Sequence, residues 1–130
     1  MTGPGGKSSV SPVCAPTQEG PEIAPGIRAL AAPGHTPGHS AFHVTSGGEQ
    51  LFVTADTSSR PDLFLRNPQW QSSFDVDGPM ATETRKRLFG RIADERARFT
   101  AYHFNFPSNG YVTRAGDGFR FHPAVWMSSV

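Results

Sequence analysis

Three side chains combine a useful chemistry with a telling position: His35, Asp56 and His103. Each follows a short apolar run that reads as a β-strand, Ile27–Ala31, Gln50–Ala55 and Phe99–Tyr102 in turn. Strand ends are where α/β layers present reactive groups to a crevice. Two imidazoles and one carboxylate suit Zn²⁺, Mn²⁺ or Fe and leave a coordination position open for water. Spacing alone says little, because the three residues lie 21 and 47 positions apart. The remaining candidates read more plainly. His43 sits on a strand as a packed or solvent-facing residue, and His122, beside Pro123, reads as surface. Asp75 and Asp77 read as loop and helix-cap carboxylates.

The elements that must position these groups follow from the pattern of apolar and turn residues. Glu22–Ile23 and Ile27–Ala31 read as strands joined at Pro25–Gly26. A Gly/Pro/His loop comes next, then an alternating strand over Ser40–Thr45, a turn at Gly47–Gly48, and the strand that stops at Asp56. Residues 57–77 read as irregular, with Phe64, Trp70 and Phe74 as apolar anchors. Asp77 then caps a helix that has Pro79 in its first turn. Met80, Thr84, Leu88 and Ile92, with Ala81, Phe89 and Ala93 beside them, share one face at helical spacing. Arg85, Lys86, Arg87, Arg91, Arg96 and Arg98 are expected mostly on the solvent side. Tyr111–Arg114 and Phe119–His122 read as a hairpin around Ala115–Gly118.

Composition bounds the rest. With 130 residues, 36% hydrophobic and 18% charged, the chain has one domain's worth of polypeptide. Fourteen Gly and twelve Pro make loops plentiful, while ten Phe supply core, which excludes collagen, coiled coil and wholesale disorder. A net charge of +1 excludes nucleic acid and membrane surfaces as partners on charge alone. One cysteine, Cys14, excludes an internal disulfide and a cysteine-rich zinc module. Residues 1–20 read as a disordered leader, and the N-terminus lacks the apolar core of a secretory signal, so a cytoplasmic chain is expected.

Sequence context sharpens the reading of the three strand-end groups. Pro33-Gly34-His35-Thr36-Pro37-Gly38-His39-Ser40 resembles the third metal-binding motif of the metallo-β-lactamase-fold hydrolases. Thr54-Ala55-Asp56 is similar to that family's strand-end motif with the bridging aspartate. Ala101-Tyr102-His103-Phe104-Asn105-Phe106-Pro107 resembles its last histidine motif, as written in the branch of lactonases and methyl-parathion-hydrolase-like enzymes. Leu63–Pro68, Phe74–Asp77 and Ala81–Arg85 are also similar to that branch, so the resemblance runs from Glu22 to Trp126.

The resemblance implies an α/β fold, the C-terminal half of an αββα sandwich, with a mixed β-sheet and flanking helix over residues 21–130. It implies that His35 ligates a first metal, that Asp56 bridges two metals at the catalytic centre, and that His103 ligates the second. His39 would support the loop rather than the metal. Phe104, Phe106 and Trp70 carry two readings, walls of an apolar substrate pocket or core packing. The implied activity is ester, lactone or phosphotriester cleavage by water activated on Zn²⁺ or another divalent transition metal. The family's H-x-H-x-D-H motif is absent, since no histidine precedes His35. Two metals are therefore expected in the complete family site and one or none in this chain, which is expected to be inactive alone. Two alternatives stand beside the hydrolase: an inactive fragment with weak single-metal binding, and a protein-interaction module. The uncovered sheet face of a half-sandwich is expected to favour self-association.

Overall fold

The computed structural model describes residues Glu19–Val125. Cys14, Trp126 and most of the expected leader lie outside the described residues, but Glu19 and Gly20 belong to the first strand. The chain forms β1 (Glu19–Ala24), β2 (Ile27–Ala31), β3 (Ser40–Ser46), β4 (Glu49–Val53), α1 (Gly78–Glu95), β5 (Arg98–Thr100), β6 (Asn109–Ala115) and β7 (Gly118–Pro123). Short hairpin turns join β1 to β2, β3 to β4 and β6 to β7, as the Gly pairs and Pro25–Gly26 predict.

The seven strands lie in one sheet in chain order. All neighbours are antiparallel except β4 and β5, which run parallel, with Leu51 opposite Arg98 and Val53 opposite Thr100. A parallel pair needs a crossover, and α1 supplies it. The result is a mixed sheet with a flanking helix, an α/β layer.

Helix α1 starts where its sequence dictates. The Asp77 carboxylate accepts the Met80 N–H at 3.0 Å, which satisfies one of the helix's orphan donors. It ends at Arg96, whose left-handed backbone (φ 51°) lets its N–H reach the carbonyls of Ile92 and Ala93. The inner face, Leu88, Phe89 and Ile92, packs on Leu30, Ala41, Phe52, Phe99, Val112 and Phe119, while buried Ala81 sits against the Gly34 loop. Phe89 meets Phe99 edge-on with centroids 5.2 Å apart. Each fully buried Leu, Ile or Phe here stabilises the fold by about 1.5–3 kcal/mol.

Side chains alternate along each strand, so the opposite sheet face carries Ile27, Phe42, Val44, Leu51 and Val53. That face is half-buried. Among the described residues no helix is long and apolar enough to cross a membrane.

Three expectations need correction. Residues 57–77 contain a π-helical segment, Arg60–Leu65, and its buried anchor is Leu65, joined by Pro68. Trp70 and Phe74 are instead exposed and stand outside the core. Arg85 does not face solvent. It is 1% exposed, at the same helical spacing as Ala81, Leu88 and Ile92, and its buried charge is matched by acceptors described below.

Candidate metal centre at the strand ends

Strand direction brings the three sequence candidates together. β2 and β4 are both antiparallel to β3, so they run the same way, and β5 is parallel to β4. The C-terminal ends of β2, β4 and β5 therefore share one sheet edge. His35 lies on the loop leaving β2, Asp56 in a 3₁₀ turn (Ala55–Thr57) after β4, and His103 on the loop leaving β5.

Asp56 is the centre of the group. Nε2 of His103 lies 3.1 Å from its Oδ1, and Nε2 of His35 lies 3.6 Å from its Oδ2. One carboxylate thus presents a different oxygen to each imidazole. His39 holds the same residue from behind: its Nε2 accepts the Asp56 N–H at 3.0 Å and its Nδ1 donates to the Ala32 carbonyl at 2.7 Å. Both ring nitrogens of His39 are engaged within the loop. The β5 end is latched onto the turn by the Tyr102 N–H, which donates to the Ala55 carbonyl at 3.0 Å.

The loop carrying His35 is clamped by the start of α1. Val76 N–H donates to the His35 carbonyl, Asp77 N–H to the Gly34 carbonyl, and the buried Thr84 hydroxyl to the Pro33 carbonyl. Gly34 is required there. Its φ is 131°, and an added Cβ would come within 2.3 Å of the Ala81 nitrogen. Strain also gathers at this edge: Ala55 (φ 50°), Arg60 (φ 43°) and His103 (φ 61°) are non-glycine residues in left-handed conformations. Such conformations persist where the surroundings over-determine them, and they cluster at functional sites.

Two residues read from sequence as a loop carboxylate and a solvent cation complete the arrangement. Asp75 is buried, with Oδ1 3.0 Å from His35 Nδ1 and Oδ2 3.4 Å from the Arg85 guanidinium. Arg85 also donates to the carbonyls of Thr57, Pro68 and Trp70 at 2.9–3.0 Å. Burial lowers the Arg85 pKa, opposed by the Asp75 charge. An arginine remains a cation under such shifts. The signal for Arg85 was its place on the apolar stripe of the helix, and for Asp75 its place between the apolar Phe74 and Val76.

A cleft of about 440 Å³ opens over these groups, lined by His35, Asp56, Asp75, Arg85 and His103, with Ser59, Arg60, Ser72 and Phe74 on its sides. The aromatic residues expected on its wall are elsewhere. Phe104 is 7% exposed and packs edge-on against Phe99 and Phe121 in the core. Phe106 and Trp70 are exposed and do not line the cleft, whose aromatic wall is Phe74. His43 is a buried residue stacked on Phe52, with Glu19 and Gln50 at its two nitrogens. His122 pairs with the Thr113 hydroxyl on β6.

The donor chemistry of the Asp56 group fits a divalent transition metal. Two ligands that each sit about 2.0–2.2 Å from a shared cation are roughly 2.8–3.5 Å from one another. The two imidazole–carboxylate separations fall at and just beyond that span. Among the described residues, however, no three His, Cys, Asp or Glu side chains form a complete metal cage. Each imidazole–carboxylate pair offers two donors.

No family model matches the sequence. No curated protein matches it either. Solved structures do. The dizinc quorum-quenching lactonase AidC, in complex with a product, aligns with a TM-score of 0.80 at 30% identity, over 83% of this chain and 37% of AidC. AbOPH, a hydrolase of the beta-lactamase superfamily, aligns at 0.78 and 24% identity, over 82% of this chain and 37% of that one. A probable metal-dependent hydrolase from Staphylococcus aureus aligns at 0.62 and 19% identity, over 84% and 39% of the two chains. The last two establish likeness of fold. The chain spans well under half the length of each neighbour.

Proposed function

With the chain matching the C-terminal part of the metallo-β-lactamase-superfamily fold, on its lactonase side, we propose that it carries half of a metal-dependent hydrolase centre. The observation that carries this reading is the Asp56 carboxylate, with His35 Nε2 at one oxygen and His103 Nε2 at the other. In this reading His35, Asp56 and His103 would hold divalent metal. Such a metal would supply activated water and polarise an ester, lactone or phosphotriester.

The chain's own residues have narrower tasks. His39 fixes the Asp56 backbone and so sets the point from which the carboxylate reaches the two imidazoles. A carboxylate suits the central position because its two oxygens serve two cations and offset their charge. Phe74 offers an apolar surface beside the Asp56 group. Of the three substrate classes, the lactone is favoured by the 30% identity to AidC, whose structure holds N-hexanoyl-homoserine as product. The remaining ligands must come from a polypeptide with the H-x-H-x-D-H motif, seated on the half-buried face of Ile27, Phe42, Val44, Leu51 and Val53. The chain alone then binds metal weakly and does not turn over.

A second reading rests on the count of donors, two for each position. In it the chain is a non-catalytic domain that holds at most one metal with His35, Asp56 and His103, or a module whose apolar face binds another protein or a second copy.

The test is metal titration of the purified chain with Zn²⁺ and Co²⁺, elemental analysis, and an N-acyl homoserine lactone assay. Weak, substoichiometric binding that disappears in Asp56→Ala, without lactone cleavage, is expected. Two tightly bound metals with hydrolysis by the chain alone would overturn the half-centre reading. Metal binding unchanged by Asp56→Ala and His103→Ala would remove the centre itself.

A further inference from the structure

Among the described residues, one ring nitrogen of His35 is within hydrogen-bond distance of a partner. Nδ1 lies 3.0 Å from Asp75 Oδ1, whereas Nε2 is 3.6 Å from the Asp56 carboxylate. The Asp75 carboxylate is 4% exposed, so water does not compete for its oxygens. Its other oxygen faces the Arg85 guanidinium. Arg85 in turn spans three segments that sequence keeps apart: the turn directly after Asp56 through Thr57 O, the loop before the site through Pro68 O and Trp70 O, and Asp75.

We propose that Asp75, held by Arg85, is a positioning residue that keeps the His35 proton on Nδ1 and leaves the Nε2 lone pair facing Asp56. An ionised carboxylate has no proton to give and can only accept, so its neighbour must donate. Which nitrogen of an imidazole is free to act is set by the bond the other nitrogen makes. The Arg85 guanidinium faces the second Asp75 oxygen and leaves the first to His35, and through Thr57 it ties the Asp56 turn to the same side chain. One buried side chain therefore sets where the two functional groups stand relative to each other. The proposal takes the importance of His35 from the metal-centre reading above, but the tautomer itself exists without any metal.

The test is long-range ¹H–¹⁵N correlation NMR of the metal-free chain, recorded with rising pH until the imidazole signals stop moving. His35 in the parent chain is expected to carry its proton on Nδ1. Asp75→Asn keeps the shape, but Arg85 claims the amide oxygen and turns the NH₂ toward His35. The proton is then expected to move to Nε2, the same inversion that makes an Asp→Asn change harmful in a catalytic triad. His39 provides the internal control, because its own Nδ1–H bond to Ala32 is independent of Asp75 and must persist in the variant. A merely structural role for Asp75 would disturb both rings or neither. Any other protonation pattern of His35 in the parent chain overturns the proposal, whether or not the variant folds. An unchanged His35 in a folded Asp75→Asn overturns it as well. Zn²⁺ affinity is measured in parallel, and a 10–100-fold loss is expected in Asp75→Asn. Loss of Zn²⁺ binding in the parent chain itself would count against the metal centre and leave the tautomer result standing.

Discussion

The backbone N–H of Asp56 donates to Nε2 of His39 across 3.0 Å, and the same imidazole donates to Ala32 at the end of β2. Two loops that belong to different strands are thereby fastened through one ring. Replacing His39 by Ala leaves a partly buried N–H and a carbonyl without partners, a loss of about 1–3 kcal/mol for each such group. Urea unfolding is expected to show an unfolding free energy lowered by at least one such amount. An unchanged midpoint would mean that His39 does not hold the turn.

Phe104 and Phe106 lie two residues apart and differ completely in burial, 7% against 76% exposed. Phe104→Ala opens a cavity against Phe99 and Phe121 and is expected to cost about 3–5 kcal/mol. Phe106→Ala is expected to cost less than about 1 kcal/mol. Equal losses in denaturant unfolding would put Phe104 outside the core.

Gly34 lies against the first turn of α1, where an added Cβ would meet Ala81. Gly34→Ala combines a φ of 131° with a Cβ against the Ala81 nitrogen, so a loss of about 1–3 kcal/mol is expected. Hydrogen exchange locates the effect: the Val76 and Asp77 amides, which bond the His35 and Gly34 carbonyls, are expected to lose protection. Protection retained at both would argue that the loop and helix are not coupled.

Acid stability draws on an ion pair between α1 and β1, on the helix-covered face of the sheet. The Arg91 guanidinium, bonded to Glu19 at 2.7 Å, holds the Glu19 carboxyl below its ordinary 4.5; burial opposes the shift and His43 assists it. A lowered folded-state pKa contributes stability that is complete above 4.5 and is lost as pH falls through the folded value. The contribution is modest, because Glu19 is about one-third exposed. Glu19→Gln is expected to flatten the fall in the unfolding midpoint between neutral pH and about 3. A variant with the same acid slope as the parent would exclude Glu19 as its source.

The local vocabulary of this protein was legible in its residues. Period-two alternation marked β3, the Gly47–Gly48 pair marked its hairpin, and Asp77 with Pro79 marked the start of α1, because these signals act within a few residues of one another. The metal-capable side chains were legible too, since each stands just past a strand. Their meeting was not. Separations of 21 and 47 residues carry no geometry until strand order makes β2, β4 and β5 run one way, so that their ends share an edge. The split fates of Phe104 and Phe106, and of Phe74 against the core phenylalanines, depended on tertiary contacts, since only Phe104 of these three meets Phe99 and Phe121. Arg85 and Asp75 mark the clearest divide. By composition they are two charges on a loop and a helix, and only tertiary packing, which removes water from both and supplies carbonyls around the guanidinium, makes them a buried brace between His35 and the Asp56 turn.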